Sequence, residues 1–328
     1  MNEFLKGILD GINSIIGNYG WSVIVFTLLV RLVIMPFDYK SRRSMRKMSK
    51  LQPQVAVLQK KYANDKEKLN KKMSELYQKE KVNPLSSCLP MLLTMPILFA
   101  MFAAMRMVAG EHMATQVFDI LQGNEPVMEG WLWISNIWMP DSPFAAAWPD
   151  LNNLRMVESG HWLAAFNALG ENAANLPIAL TADSFSSANL NATIELINTH
   201  LQTMPAYVEA TAKLPGWSFN LWIAQMDVMQ HFNGWFVLPI LAALSQMLMT
   251  KAQPMPAAEG QNGQQQNTGA FMKWFFPLFS LFICSSYNAI FSLYWVAANI
   301  IATVQNVLIN KYLDMKEKQE TVVEGSVK

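Results

Sequence analysis

Acidic residues are absent from every long apolar run of this sequence, and charged residues and cysteines are few. Only 15% of the 328 residues are charged and 52% are hydrophobic, a composition that excludes an ordinary soluble domain and is typical of a helical membrane protein. The two cysteines, Cys88 and Cys284, fall within apolar runs that we expect to place them at opposite ends of a bundle, so we predict neither a disulfide nor a metal site there. Residues 1–17 are amphipathic and lack an A-x-A cleavage pattern, so we expect no removable signal peptide.

Five apolar runs are each long enough to cross a bilayer as a helix. We predict transmembrane helices at residues 21–37, 85–108, 234–250, 271–287 and 290–310. Outside these spans we predict an amphipathic interfacial helix at residues 1–20, a flexible cytoplasmic loop at residues 251–270 and a cytoplasmic tail at residues 311–328. The predicted fold class is therefore all-α, a polytopic membrane protein.

The two longest segments between the spans carry opposite charge. Residues 38–83 contain fourteen basic and five acidic residues, which gives a net charge of +9. Residues 109–233 contain two basic and twelve acidic residues, which gives −10. Since basic loops stay on the cytoplasmic side, we predict that the N-terminus lies outside and the C-terminus inside.

The basic segment, residues 38–84, has helical apolar spacing on both sides of Ala63-Asn64-Asp65, which predicts an antiparallel helical hairpin. We expect Pro53 to bend the first arm or to end it locally. The charge indicates contact with anionic lipid headgroups or ribosomal RNA, although a solvated face without a partner would have the same composition. The candidate contact residues are Arg42, Arg43, Arg46, Lys47, Lys60, Lys61, Lys71 and Lys72.

The acidic outer segment contains all four histidines, but none has a partner at ligand spacing, so we predict no metal site. Its tryptophans indicate an edge that rests at the membrane interface. These tryptophans are Trp131, Trp133, Trp138 and Trp148.

Arg31 lies in the middle of the first predicted span, about 15 Å deep. A charge at that depth costs roughly 3 kcal/mol on insertion scales. Because the predicted spans contain no Asp or Glu, the sequence shows no counter-ion for Arg31 at membrane depth. We therefore predict a wet, positively charged pocket inside the bundle that takes an anionic group from elsewhere. The alternative is an arginine that binds backbone carbonyls of neighbouring helices and serves packing alone.

Polar side chains on other spans favour the pocket. Thr27 lies one turn before Arg31, and Gln246 and Thr250 lie four residues apart on the third span. One face of the last span carries Ser292, Trp295, Asn299, Thr303, Asn306 and Asn310. A polar stripe of this length would be costly against lipid and should face the bundle interior. Interhelical hydrogen bonding for packing alone is the competing interpretation.

Several motifs occur in a specific order over about residues 5–143 and 234–312. They are Leu29-Val30-Arg31 with Pro36, Lys81-Val82-Asn83-Pro84, Cys88-Leu89-Pro90 with Met95-Pro96-Ile97, and Ser292-Leu293-Tyr294-Trp295-Val296 with Asn299-Ile300. In these motifs the chain resembles the YidC/Oxa/Alb membrane insertase family in its bacterial five-span form. Two features depart from the family pattern: Thr94 stands where glutamine is frequent, and an insertion at about residues 145–232 has no counterpart.

The resemblance implies an insertase of the bacterial cell membrane that receives the polar tail of a nascent membrane protein and releases its helix into lipid. It implies five transmembrane helices around a hydrophilic groove open to the cytoplasm and to lipid. The expected groove residues are Arg31, Thr27, Thr94, Gln246, Thr250, Trp295, Asn299 and Thr303, with either Gln246 or Thr250 at the polar groove position of the third span. The implied partners are nascent membrane proteins, the ribosome, the Sec translocon and membrane lipids. No cofactor, small-molecule substrate or catalytic residue is expected.

Two other classes of function are less favoured by the residues. An anion-binding transporter or channel could also use Arg31, but the chain shows neither an internal repeat nor an intramembrane carboxylate. An intramembrane enzyme is disfavoured because the sequence has no H-E-x-x-H or G-x-S-x-G motif and no Ser/His pair within the spans.

Overall fold

The structure is a computed structural model that describes residues 2–80, 89–221, 224–252 and 264–326. Most of these residues are helical. The α-helices are α1 (Asn2–Ile16), α2 (Tyr19–Lys61), α3 (Lys66–Lys79), α4 (Leu89–Leu121), α5 (Leu151–Leu154), α6 (Ser159–Ala168), α7 (Leu190–Leu201), α8 (Pro205–Ala210), α9 (Val237–Ala252), α10 (Gln264–Ser286) and α11 (Ala289–Ser326). Two 3-10 helices, Gly170–Asn175 and Ala182–Phe185, lie between α6 and α7.

The predicted class of helical membrane protein is confirmed. Three described helical stretches are long and apolar enough to cross a membrane: Tyr19–Lys61, Met95–Leu121 and Ala289–Gln319. Two shorter apolar helices are Val237–Ala252 and Lys273–Ser286. Length and composition therefore support three spans, and the five-span arrangement stays a prediction.

The helix α2 continues through Pro36 and Pro53, so the first predicted span and the first arm of the predicted hairpin form one helix. An interior proline costs one backbone hydrogen bond. The helix does not end at Pro53, and a bend there stays a prediction: Leu51 and Val55 on either side are buried, while Pro53 itself is exposed. At the end of the turn that follows, Asp65 caps α3 by accepting a hydrogen bond from the backbone N–H of Lys68 at 3.0 Å.

The chain divides into two compact units. The first comprises Met1–Phe26, Ala100–Ala242 and Ser280–Val296, and the second comprises Thr27–Phe99, Ala243–Phe279 and Ala297–Lys328.

In the first unit, the insertion at residues 145–232 shares its core with α4. The ring of Phe118, on α4, lies edge-on to Trp162 at 5.9 Å and to Phe185 at 6.0 Å between ring centroids, and all three side chains are fully buried. The insertion is therefore built onto the end of α4 rather than attached by a linker.

The two ends of the insertion are held together by a pair of asparagines. The side chain of Asn233 accepts from the backbone N–H of Asn136 at 2.8 Å and donates to the carbonyls of Asn136 and Pro140 at 2.8 and 2.9 Å. The backbone N–H of Asn233 also donates to the carbonyl of Ala145 at 2.9 Å. The chain thus leaves and returns at one point, which explains how a long insertion fits between the outer segment and α9.

Asp141 connects this same point to the start of α9. Its carboxylate accepts hydrogen bonds from the backbone N–H of Leu238 at 2.6 Å and from the indole of Trp133 at 3.2 Å. Gly234 lies so close that a Cβ at this position would stand 2.0 Å from the Asp141 carboxylate. Any larger residue at this position would force Asp141 to shift, which favours glycine where the chain approaches α9.

Within the insertion, the strands β1 (Lys213–Leu221) and β2 (Ala224–Met229) form an antiparallel two-stranded sheet with Phe219 opposite Met226. This sheet departs from the all-α prediction. The alternation of Trp217, Phe219 and Leu221 is a strand signal that sequence reasoning missed. A register shift between Lys213 and Ser218 contains Gly216 at φ +82°, a conformation that glycine adopts at bulges.

Of the four tryptophans expected at an interfacial edge, Trp133 and Trp148 are partly exposed and the other two are buried. Trp138 is fully buried, and its ring stacks on His112 with centroids 4.1 Å apart. Trp131 is buried as well, whereas Trp217 and Trp235 are well exposed. Indole rings therefore contribute both to the core of the outer segment and to its surface, and the interfacial edge stays a prediction.

Candidate functional site

Arg31 is half-buried on α2. Among the residues that the structure describes, it forms no ion pair and no hydrogen bond. Thr27, one turn earlier, is buried with 1% of its surface exposed. The second unit thus contains a partly buried guanidinium that is not neutralised by direct contact.

Asp38 is a site residue that sequence reasoning missed. It follows Arg31 by seven residues, two helical turns, and interacts electrostatically with Arg31 and Arg42. The amide of Gln305 on α11 donates to the Asp38 carboxylate at 3.0 Å. The first predicted span ended at Phe37, one residue short of this carboxylate, although the seven-residue spacing places Asp38 on the same helix face as Arg31. Arg31 therefore has a distant carboxylate partner just outside the predicted spans, which themselves contain no Asp or Glu.

Two of the predicted groove residues meet between α9 and α11. Asn299 is buried, and its side-chain amide donates to the Gln246 side chain at 3.1 Å and to the Ser245 hydroxyl at 3.2 Å. The hydroxyls of Thr250 and Thr303 instead donate to carbonyls four residues earlier on their own helices, at 2.8 and 2.7 Å. Between the two candidates on the third span, Gln246 is the one whose side chain contacts the last span.

Trp295 belongs to the first unit. Its ring is 5.7 Å from that of Phe291, and its indole N–H is buried without a hydrogen-bond partner in the described part of the chain. The neighbouring Ser292 hydroxyl donates to the carbonyl of Cys284 at 3.0 Å.

The side chain of Thr94 lies outside the described residues, as do the motif residues 81–88 and residues 253–263 of the predicted loop.

The predicted basic contact residues fall into two groups. Arg46 binds within the protein: its guanidinium pairs with Asp314 at 2.6 Å and donates to the carbonyl of Asn310 at 2.8 Å. Arg42 interacts electrostatically with Asp38, and Lys72 forms an ion pair with Glu75 at 2.6 Å. The exposed members are Arg43, Lys47, Lys60, Lys61 and Lys71. The exposed group is the one available to outside partners.

Comparisons with known proteins identify relatives. The family model described as 60Kd inner membrane protein matches residues 11–211 and 200–318. The membrane protein insertase YidC of Fusobacterium nucleatum subsp. nucleatum is 44% identical over 106 residues, which are 32% of this chain and 52% of that protein. The YidC of Anaeromyxobacter dehalogenans is 48% identical over 106 residues, 31% of this chain and 19% of that protein.

A third relative, the membrane protein insertase YidC of Francisella tularensis subsp. novicida, is 46% identical over 101 residues, 31% of this chain and 18% of that protein. The matched region thus spans about half of the Fusobacterium relative and about a fifth of the other two. The match to the family model is far longer and extends over most of the chain. The resemblance seen in the sequence motifs is confirmed, and this chain belongs to the 60Kd inner membrane protein family.

Proposed function

We propose that this protein is a membrane protein insertase that receives the polar tail of a nascent membrane protein and releases its helix into lipid, alone or with the Sec translocon. Family membership and the insertase name of the bacterial relatives support this function. The observation that carries the mechanism is the half-buried Arg31, which no described carboxylate contacts directly.

The positive charge of Arg31 acts by attracting the acidic tail of the substrate. A guanidinium inside an apolar helix attracts the acidic tail of a substrate more strongly than it would in water, because the effective dielectric constant is lower there. Thr27, Gln246 and Asn299 supply hydrogen-bonding groups in the same unit, and water around them lowers the cost of desolvating the tail. Asp38 offsets part of the charge from two turns away and leaves the near side of Arg31 for the substrate.

The proposal includes the membrane topology and the partners. The N-terminus lies outside, the C-terminus lies in the cytoplasm, and α9 and α10 complete a set of five spans. The exposed lysines Lys60, Lys61 and Lys71 form the contact surface for the ribosome and the translocon, since among the described residues no carboxylate pairs with them. These assignments follow the charge difference between the two sides of the chain.

Reconstituted insertion tests the proposal. Proteoliposomes containing only this protein are supplied with a single-span substrate that has an acidic N-terminal tail, and protease protection of the tail is measured. We expect protection with the wild type, a strong loss with Arg31→Ala, and partial retention with Arg31→Lys, which keeps the charge. For a matched substrate with a neutral tail, Arg31→Ala should reduce the protection much less. Equal loss for both tails would refute charge attraction, and anion flux without insertion would favour the transporter alternative.

A further inference from the structure

A cavity of about 900 Å³ lies in the second unit between α2 and α11. One part of its wall is apolar and includes Leu32, Met35 and Leu308. Another part is basic and includes Lys40, Arg43 and Lys47. The cavity therefore combines an apolar surface with three positive charges along one helix.

The three cations share one face of α2, because their spacings are three and four residues. All three are exposed, and none forms an ion pair with a described carboxylate. Their positive charge is therefore concentrated at the cavity without an ion pair to any carboxylate in the described part of the chain.

The neighbouring basic residues of the same helix behave differently. Arg46 pairs with Asp314 at 2.6 Å and Lys50 pairs with Glu317 at 3.1 Å. These cations join α2 to α11. Cations of α2 that hold the fold together are thus distinct from those that face the cavity, and the cavity cations are available to a ligand there.

The apolar wall has the exposure of a lipid-facing surface. Leu32, Met35 and Leu308 expose 54%, 43% and 60% of their surface. Lys40 follows Leu32 by eight residues, about 12 Å along the helix axis. An apolar wall that continues into a cluster of cations at this distance matches a molecule with acyl chains at one end and a negatively charged phosphate at the other.

We propose that this cavity binds an anionic phospholipid, with its phosphate at Lys40, Arg43 and Lys47 and its acyl chains along Leu32, Met35 and Leu308. Basic pockets between transmembrane helices favour such headgroups. A ribosomal RNA would use the cations but leave the apolar wall unpaired, so the lipid is the better complement. This site does not depend on the insertase proposal, because lipid binding is measured without any substrate.

Lipid titration of the purified full-length protein tests the site. The protein is held in phosphatidylcholine nanodiscs or mixed micelles, phosphatidylglycerol is added, and the bound lipid is counted by native mass spectrometry. Three cations at about 1 kcal/mol each predict that the triple variant Lys40→Gln, Arg43→Gln, Lys47→Gln binds phosphatidylglycerol about 100-fold more weakly. The control variant Lys66→Gln, Lys68→Gln, Lys79→Gln removes the same charge from exposed positions on α3 and should bind within about two-fold of wild type.

Several outcomes would overturn the proposal. Equal weakening in both triple variants would mean non-specific attraction. Displacement of the lipid by inorganic phosphate or glycerol phosphate at similar concentration would mean a free-anion site, and displacement by a ribosomal RNA fragment at lower concentration than lipid would mean an RNA site. These competitions use the wild-type protein, so the proposal can be tested even if the cavity variant does not fold. Wild-type retention of phosphatidylcholine as strong as that of phosphatidylglycerol would also refute it.

Discussion

Replacing Asp38 with Asn should strengthen the binding of acidic substrate tails to this protein. Asp38 follows Arg31 by seven residues, so their helix positions differ by about 10 Å along the axis. At an effective dielectric constant of about 20, two unit charges at that distance interact by about 1.7 kcal/mol. Removing the carboxylate therefore releases Arg31 from a competing interaction worth at most about 17-fold in affinity for an anionic ligand.

The substitution is well matched to the structure. An asparagine at this position has nearly the same shape, and its side-chain oxygen can still accept the hydrogen bond that Gln305 donates to Asp38 at 3.0 Å. The charge changes while the contact to α11 is kept. A second variant, Gln305→Leu, removes that hydrogen bond but keeps the Asp38 charge, so it separates the electrostatic effect from a packing effect.

The assay is fluorescence anisotropy of a labelled substrate peptide with an acidic tail, titrated with detergent-solubilised protein at low and moderate salt. We expect tighter binding for Asp38→Asn, a smaller difference at higher salt because of screening, and no gain for Gln305→Leu. A peptide with a neutral tail should bind both variants as it binds wild type. Weaker binding of the acidic peptide to Asp38→Asn, or an equal change for both peptides, would refute the proposed competition.

Three further predictions concern the outer segment. Asn233→Ala removes three buried side-chain hydrogen bonds and should lower the free energy of unfolding by about 3 kcal/mol, measured by thermal unfolding in detergent. Gly234→Ala places a Cβ 2.0 Å from the carboxylate of Asp141, so the same measurement should show a loss of about 1–3 kcal/mol. Hydrogen bonds from Lys213 and neighbouring side chains lower the pKa of Asp227 to about 2. The stabilisation from this lowered pKa is present above the ordinary carboxyl pKa and is lost as the pH falls through about 2, which carboxyl NMR shifts would report.

Each of these has a clear contrary result. Asn233→Asp keeps the oxygen that accepts from the backbone N–H of Asn136 and loses the two donated hydrogen bonds. A loss equal to that of Asn233→Ala would show that the accepted hydrogen bond contributes nothing. A Gly234→Ala variant with unchanged stability would mean that Asp141 can move away and still accept the hydrogen bond from the backbone N–H of Leu238. A titration midpoint for Asp227 near the ordinary carboxyl pKa of 3.8 would show that its contacts within the β1–β2 sheet do not stabilise the charged form.

Much of the fold follows from local sequence. The apolar runs predict helices where α2, α4 and α11 are found, and the helical spacing of the basic segment predicts α3. Pro53 bends or ends the helix by local propensity, yet the helix continues through it, and Leu51 and Val55 are both buried beside it. Burial of these neighbours depends on packing, which local propensity does not contain.

Less of the candidate site could be predicted. The position of Arg31 in an apolar span is visible in the sequence, and the polar face of the last span predicts the burial of Asn299. The electrostatic interaction of Asp38 with Arg31 is not visible in the sequence, because the apolar run ends at Phe37 and Asp38 lies outside it. Its hydrogen bond from Gln305 joins residues 267 positions apart, and no local pattern indicates such a pairing.

The sequence by itself determined the membrane class, the family and the location of one arginine inside an apolar helix, because these depend on composition, motif order and helical period. Tertiary structure decided which charges remain available. Arg46 is neutralised by Asp314, 268 residues away in the chain, while Arg43, three residues before Arg46, faces a cavity. The physical reason is that electrostatic interaction depends on distance in space, and folding brings together carboxylates and guanidiniums that the sequence keeps far apart.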